Sequence, residues 1–313
     1  MEIQSLSVCV PSTGCINNCK FCVSRQHTMD YPSIYTPYQY QNRNDANPEM
    51  VYDPITLVSG AQYSFETYYN KLSFARDNGC NTLMFTGCVE PQQNMEFIKY
   101  IAKTVNSRLS KPFRWMEIQT TGRRVNEDMI KDWANYGITT IALSINSFVD
   151  EENLSVMDRI DDKFNLQNLC KIIKENNLNL RMCLNLTKYF DRYGNKIREL
   201  LNTCKDYGAD QVTFRVLYAE GETEQAKWVR ENKSKNNFNF IVNTFIKQCS
   251  QQGEARFLRR LPHGINLYGF NGMSIAIDDD CMNTKKNDNI RYLVLRENGK
   301  LYTDWTDMAS LLF

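Results

Sequence analysis

Short apolar strands alternate with helical stretches through most of this chain, and that alternation restricts the fold to a parallel sheet flanked by helices. Strands are expected over 5–10, 82–86, 115–119, 139–143, 180–186 and 211–217. Helices are expected over 61–77, 95–107, 127–136, 166–175 and 196–207, and helical sequence from about Thr223 to Gln251. Gly79, Gly137 and Gly208 follow three of these helices as stop signals. Eight such units would close a barrel. The six found here imply an α/β fold of the open kind, a partial (β/α)6 TIM-like barrel. The ends of its strands should converge on one mouth.

Directly after the first strand comes Thr13-Gly14-Cys15-Ile16-Asn17-Asn18-Cys19-Lys20-Phe21-Cys22, with Cys15, Cys19 and Cys22 at C-x3-C-x2-C spacing. Three thiolates in one loop can hold three corners of a cubane 4Fe-4S cluster, which leaves one iron open to a small chelating molecule. The alternatives are a zinc site or three structural cysteines. Zinc normally takes four ligands from paired motifs. No second pair follows, and His27 and His263 are the only histidines.

The triplet resembles the signature of the radical S-adenosylmethionine (radical SAM) superfamily. The resemblance implies a 4Fe-4S cluster and S-adenosyl-L-methionine as cofactors, and a partial barrel of the radical SAM type. It also implies that Phe21, before the third cysteine, packs on the cofactor adenine. Thr86-Gly87-Cys88-Val89-Glu90-Pro91 resembles the second signature, a Gly-Gly-Glu-Pro-like turn that meets the methionine amino group. Gly87, Glu90 and Pro91 fit it, whereas Cys88 and Val89 stand where glycines are usual. Read from the residues alone, Glu90 is equally placed to cap a helix. Polar residues at later strand ends, Thr120, Ser144 and Asn185, are further candidates for the cofactor. A lone Ser or Thr there also serves as a helix cap. The chemistry implied is reductive cleavage of S-adenosylmethionine to a 5′-deoxyadenosyl radical that abstracts hydrogen from a substrate. Such chemistry needs an electron donor such as flavodoxin or ferredoxin.

From the cluster loop to Leu217 the chain is similar to the branch containing the GTP 3′,8-cyclase of molybdenum cofactor biosynthesis. That branch carries a second cluster on C-terminal cysteines. Here Cys281 alone follows Cys249, so a single cluster is expected. Arg181 and Arg215 alternate with apolar neighbours and could point into the barrel, where arginine holds phosphate or carboxylate. They put a small anionic or nucleotide-like substrate first. A peptide engaged by the Tyr-rich 28–58 stretch and the C-terminal strands comes second, and a non-catalytic electron-transfer module third. Clustered Arg and Lys at the barrel mouth would favour the first, and a neutral groove the second.

Two organisational units are expected: a core over 1–251, with 28–58 an irregular stretch that either packs on itself or forms a lid, and a β-rich extension over 252–313 that could cap the barrel. Within the extension, strands are expected over 257–261, 265–270, 273–277 and 290–296. Glu297-Asn298-Gly299-Lys300 then reads as a hairpin turn returning through 301–305. The Asp278-Asp279-Asp280 run reads as a solvated turn. A net charge of +1 advertises no nucleic-acid surface. Eleven cysteines without disulfide-like spacing, and no leader at residues 1–25, point to a reducing cytoplasm. No apolar run reaches the ~18 residues a membrane span needs.

Overall fold

The computed structural model describes residues 3–12, 14–26, 65–159, 163–261, 263–280, 290–297 and 299–313. The 28–58 stretch, His27 and Cys281 lie outside them. The described chain alternates as the sequence implies. Strand β1 (Ser5–Cys9) leads through the cysteine loop into the short helix α1 (Val23–Gln26), and α2 (Phe65–Asp77) precedes β2 (Thr82–Thr86). Helix α3 (Met95–Lys99) continues through a π-helical stretch (Tyr100–Val105) into α4 (Asn106–Arg108). Then follow β3 (Trp115–Thr120), α5 (Glu127–Asn135), β4 (Thr140–Ile145), α6 (Asp150–Met157), α7 (Leu166–Glu175) and β5 (Asn179–Asn185). Next come α8 (Ile197–Asp206), β6 (Gln211–Arg215), α9 (Glu224–Asn232) and α10 (Phe238–Gln251). The C-terminal strands are β7 (Ala255–Arg260), β8 (Asn266–Phe270), β9 (Met273–Asp278), β10 (Tyr292–Leu295) and β11 (Leu301–Tyr302).

Local signals set these boundaries. Helix α2 stops where Gly79 turns to φ +90°, a left-handed conformation that glycine adopts without a Cβ penalty. Asn126 and Asn165 cap α5 and α7 by accepting from the amides of Met129 and Asn168. The expected helical run from Thr223 to Gln251 is two helices. The chain breaks where Ser234 and Asn236 bond to the Asp191 carboxylate, and the Asn237 side chain starts α10 by accepting from Phe240. A polar Asn-rich segment with a better partner elsewhere leaves the helix.

The sheet order is β11-β10-β1-β2-β3-β4-β5-β6-β9-β8-β7. Every neighbour pair from β10 through β1–β6 to β9 is parallel. The β-rich C-terminal stretch thus joins the sheet at both edges, and β9 and β10 extend the parallel run begun by the six expected strands. One face of each strand is apolar: Leu6 and Val8, Leu83 and Phe85, Ile141 and Leu143, Met182 and Leu184, Val212 and Phe214. These side chains are buried in one core with Trp133, Leu169, Ile173 and Leu200 of the helices. The other face is largely polar. Ser5, Ser7, Thr86, Gln119, Arg181, Asn185, Thr213, Arg215 and Asp278 line a cavity inside the curve of the sheet.

Strands β9 and β10 sit at opposite ends of the parallel run, yet an ion pair spans them. Arg291, just before β10, donates to Asp278 at the end of β9 at 2.8 Å. Arg215 approaches the same carboxylate at 4.0 Å. Asp278 is therefore buried beneath two arginines, which corrects its reading as part of a solvated turn. Removing one partner of a buried pair strands the other charge. Asp278→Ala is expected to cost about 3–5 kcal/mol of stability, read from urea midpoints. A loss under about 1 kcal/mol, the scale of a surface pair, would show that this contact does not hold the seam.

Candidate functional site

The cysteine loop is held from three sides. Asn18 and Lys20 donate their amides to the carbonyls of Met157 and Val156 at the end of α6. Gln93 accepts from the Ile16 amide at 3.0 Å and donates to the Gly14 carbonyl at 2.6 Å. Arg123 and Arg159 both donate to the Ile16 carbonyl, at 2.8 and 2.9 Å. A loop with this many outside partners has little freedom to rearrange.

Glu90 is the hub of these contacts and is buried. One carboxylate oxygen accepts from Asn17 Nδ2 at 2.9 Å. The other accepts from Thr120 Oγ1 at 2.5 Å, from the Thr121 amide at 3.1 Å and from Gln92 Nε2 at 3.1 Å. Asn17 Nδ2 also donates to Thr121 Oγ1 at 2.9 Å. A buried carboxylate is tolerated when its lone pairs are satisfied in this way. Glu90 thus ties the loop after β1 to the turns after β2 and β3.

Among the described residues, no three His, Cys, Asp or Glu side chains converge on a point where one metal ion would sit. Cys15, Cys19 and Cys22 do lie close enough for the charge of one thiolate to raise the pKa of another. That arrangement fits a cubane, in which each thiolate binds a different iron, and does not fit a tetrahedral zinc ion. Burial pushes the Cys15 thiol up to about 12, with the nearby Glu90 charge adding to it. Cys19 and Cys22 are raised chiefly by burial as well, and Arg25 opposes the rise at both. Thiols so placed ionise readily only when iron takes the charge.

Beside the loop, the cavity measures about 440 Å³, an ordinary volume for a small-molecule site. Phe21, Val23 and Ser24 bring the cysteine loop to its wall, and Thr86 and Gly87 bring the second motif. Gly87 has φ +131°, and a Cβ there would lie 3.2 Å from the Cys9 Cα, so the turn favours glycine. Leu261, His263, Ile265 and Trp305 complete the wall from the C-terminal stretch.

Charges around this cavity nearly cancel. Arg181 pairs with the buried Glu117 at 2.6 Å and donates to Gln211 at 2.7 Å. Arg215 and Arg291 flank Asp278. Among the described residues no lysine lines the cavity. Burial, helped by Arg291, pushes the His263 imidazole down to about 4, so it is neutral at physiological pH. Among the described residues, three arginines thus stand beside two carboxylates, Glu117 and Asp278.

The structure therefore divides the sequence candidates. Phe21, Gly87, Asn185, Arg181 and Arg215 line the cavity. Glu90 and Thr120 belong to the network that holds the loop, with Glu90 directed at protein donors instead of into the cavity. Ser144 lies on β4, paired in register with Cys183, and is not among the residues that line this cavity. Sequence reasoning missed Asn17, Gln93, Arg123 and Arg291, took Asp278 for part of a solvated turn, and had nothing local to bring His263 or Trp305 to the site. The doubled Asn17-Asn18 inside the cysteine loop was the one available signal, since a polar pair held between ligands needs partners.

A family model described as the Radical SAM superfamily matches residues 9–229. SuiB of Streptococcus suis, bound to S-adenosylmethionine, superposes with a TM-score of 0.58 at 14% identity, over 96% of this chain and 60% of SuiB. The structure of anSMEcpe with bound AdoMet and Cp18Cys peptide gives 0.55 at 13% identity, over 98% and 75% of the two chains. Coproporphyrinogen III oxidase (HemN) of Escherichia coli, described as a radical SAM enzyme, gives 0.52 at 13%, over 94% and 63%. The chain spans about 60% of the length of SuiB, and at these identities the likeness is one of fold. No curated protein matches the chain.

Glu90→Ala should unfasten the cysteine loop and lower the iron bound per chain after anaerobic reconstitution; iron content equal to that of the unaltered protein would overturn the anchoring role. His263 has a second consequence. The unfolded chain takes up a proton as pH falls through 6.5, and the folded protein does so only near 4. Stability should hold above 6.5 and decline between those values. Thermal midpoints of His263→Gln should fall less over that window.

Proposed function

The chain belongs to the Radical SAM superfamily, and on that premise we propose that it removes a hydrogen atom from a peptide substrate. It is an enzyme, with a 4Fe-4S cluster and S-adenosylmethionine as its cofactors. The observation that carries the peptide reading is the balanced charge of the cavity: each arginine on its wall already has a carboxylate neighbour. A phosphorylated metabolite would require several uncompensated cations, whereas a peptide segment does not. Both SuiB and anSMEcpe have also been solved with peptides bound, which supports the same reading.

When bound, the cluster and S-adenosylmethionine would supply the hydrogen-abstracting chemistry, with the electron drawn from an external donor. The residues of this chain position and shield. Cys15, Cys19 and Cys22 would each hold one iron. Phe21 offers a ring face at the cavity wall, suited to an adenine. The backbone at Gly87 approaches the cavity without a side chain in the way, as the methionine moiety would need. Asn185 lines the wall while donating to Asn146 Oδ1 at 3.2 Å, so its carbonyl oxygen remains for a ribose hydroxyl. Thr120 and Glu90 act through the loop they hold, and Ser144 is the further polar candidate for the cofactor. Leu261, Ile265 and Trp305 would keep water from the reacting carbon. Hydrogen-atom transfer asks for no general base, which suits a neutral His263.

A second reading keeps a small anionic or nucleotide-like substrate. It is favoured by the two arginines, Arg215 and Arg291, beside Asp278, and by the likeness of the stretch up to Leu217 to the GTP 3′,8-cyclase branch. In either case the reading places the enzyme in the cytoplasm with a flavodoxin- or ferredoxin-type donor, and gives residues 252–313 the role of covering the open side of the barrel. Among the described residues no helix is long and apolar enough to cross a membrane.

The test is anaerobic. The reconstituted, reduced protein is given S-adenosylmethionine and, separately, a uniformly deuterated peptide digest or a deuterated metabolite extract. Deuterium in 5′-deoxyadenosine from the digest alone is the expected result, with none formed by the Cys15/Cys19/Cys22→Ala protein. Deuterium from the metabolite extract alone would overturn the peptide reading.

A further inference from the structure

We propose that the exposed edge of β7 is the docking strand for an extended, acidic segment of the substrate, aligned so that the residues following it enter the barrel cavity; this rests on the peptide reading above. Among the described residues, β7 ends the sheet and pairs only with β8. Beyond the buried Ala255, every residue from Arg256 to Arg260 is exposed. An edge strand presents unpaired amides and carbonyls that can template another chain, and strand addition is a recurrent way of binding an extended peptide.

The side chains on this edge say what kind of segment fits. Arg256, Arg259 and Arg260 stand along it. Among the described residues no carboxylate pairs with any of the three, and Arg260 donates only to the Gly264 carbonyl at 3.2 Å. Between them Phe257 and Leu258 are 58% and 42% exposed. Arginines on an edge also deter self-pairing, but two large exposed apolar side chains beside them invite contact. A bulge between Phe257 and Arg259 sets Arg256 opposite Gly269 and Arg259 opposite Leu267, on one face of the strand, so a segment that alternates acidic and apolar residues would set its acidic side chains against both arginines, ion pairs giving selectivity and cross-strand apolar pairs giving affinity.

The direction of the strand ties this edge to the chemistry. Leu261 and His263, just past the end of β7, line the cavity. A segment laid along β7 therefore runs to the cavity wall. Leu261 donates its amide to the Ile265 carbonyl at 2.7 Å, inward toward the strand leading into β8. Because successive amides of a strand point to opposite sides, the Arg260 amide faces outward and is free to pair with an added strand. A proline at 260 would remove that donor and spare the Leu261 bond.

The probes are a fluorescein-labelled peptide of alternating Glu and Val and its Lys–Val counterpart, read by anisotropy at low salt against the full chain. The acidic peptide should bind and the basic one should not. Arg256→Glu with Arg259→Glu should weaken the acidic peptide by about tenfold or more, as two cross-strand charge pairs reverse. Arg260→Pro should weaken it further than Arg260→Ala, which removes the same charge and keeps the amide; equal thermal midpoints exclude misfolding as the cause. Equal binding of the two peptides, no binding of either, an unaltered affinity in the double charge reversal, or Arg260→Pro matching Arg260→Ala would each overturn the docking strand. The deuterium-transfer assay decides the peptide reading separately, since label from a peptide digest would uphold it even if β7 played no part.

Discussion

The buried Glu90 carboxylate is the contact on which the site depends. A carboxylate out of water is costly unless donors replace the hydration it gave up, and here those donors come from Asn17, Gln92, Thr120 and the Thr121 amide. The donors belong to the turns that follow three successive strands. Satisfying one charge therefore fixes the relative placement of three loops that the sheet alone would leave to find their own positions. The cysteine loop inherits that order, with Gln93, Arg123 and Arg159 also gripping its backbone. A site that must accept a preassembled inorganic group benefits from being rigid before the group arrives.

The inner face of the sheet follows a similar economy. Alternation along each strand sends apolar residues to the helices and polar ones to the interior, and the polar ones largely satisfy one another. Arg181 finds Glu117, while Arg291 finds Asp278 across the seam between β9 and β10. That seam lies between strands with no backbone ladder joining them, so side chains do there what hydrogen-bonded pairing does elsewhere. The result is a cavity of mixed polar and apolar lining that is almost neutral in charge, and the proposed peptide reading rests on that balance.

Much of the core could be read directly. The 2-residue period of Leu180-Arg181-Met182-Cys183-Leu184 marks a strand with one apolar and one polar face, and Asn126 and Asn165 announce helices because capping is a local interaction. The Gly299 turn between β10 and β11 was legible for the same reason: the chain reverses within four residues, with Arg296 and Lys300 paired across it. The division of the Thr223–Gln251 run was not legible, because it depends on Asp191, a partner far away in sequence. The contacts of Glu90 were not legible, since its surroundings are assembled from residues as distant as Asn17 and Thr120.

The sequence by itself determined the parallel α/β architecture, the spacing of the cysteine triplet in the loop after β1, and the turn that puts Gly87 just past the end of β2. Each of these is encoded within a few residues, by periodicity, by ligand spacing or by backbone freedom at glycine. Only the tertiary structure decided that Arg181 is neutralised by Glu117, that Asp278 is a buried counter-ion bridging β9 and β10, that His263 and Trp305 reach the cavity, and that β7 is left as an open edge. Charge balance and strand pairing are sums over partners brought together from across the chain, and no local stretch carries them.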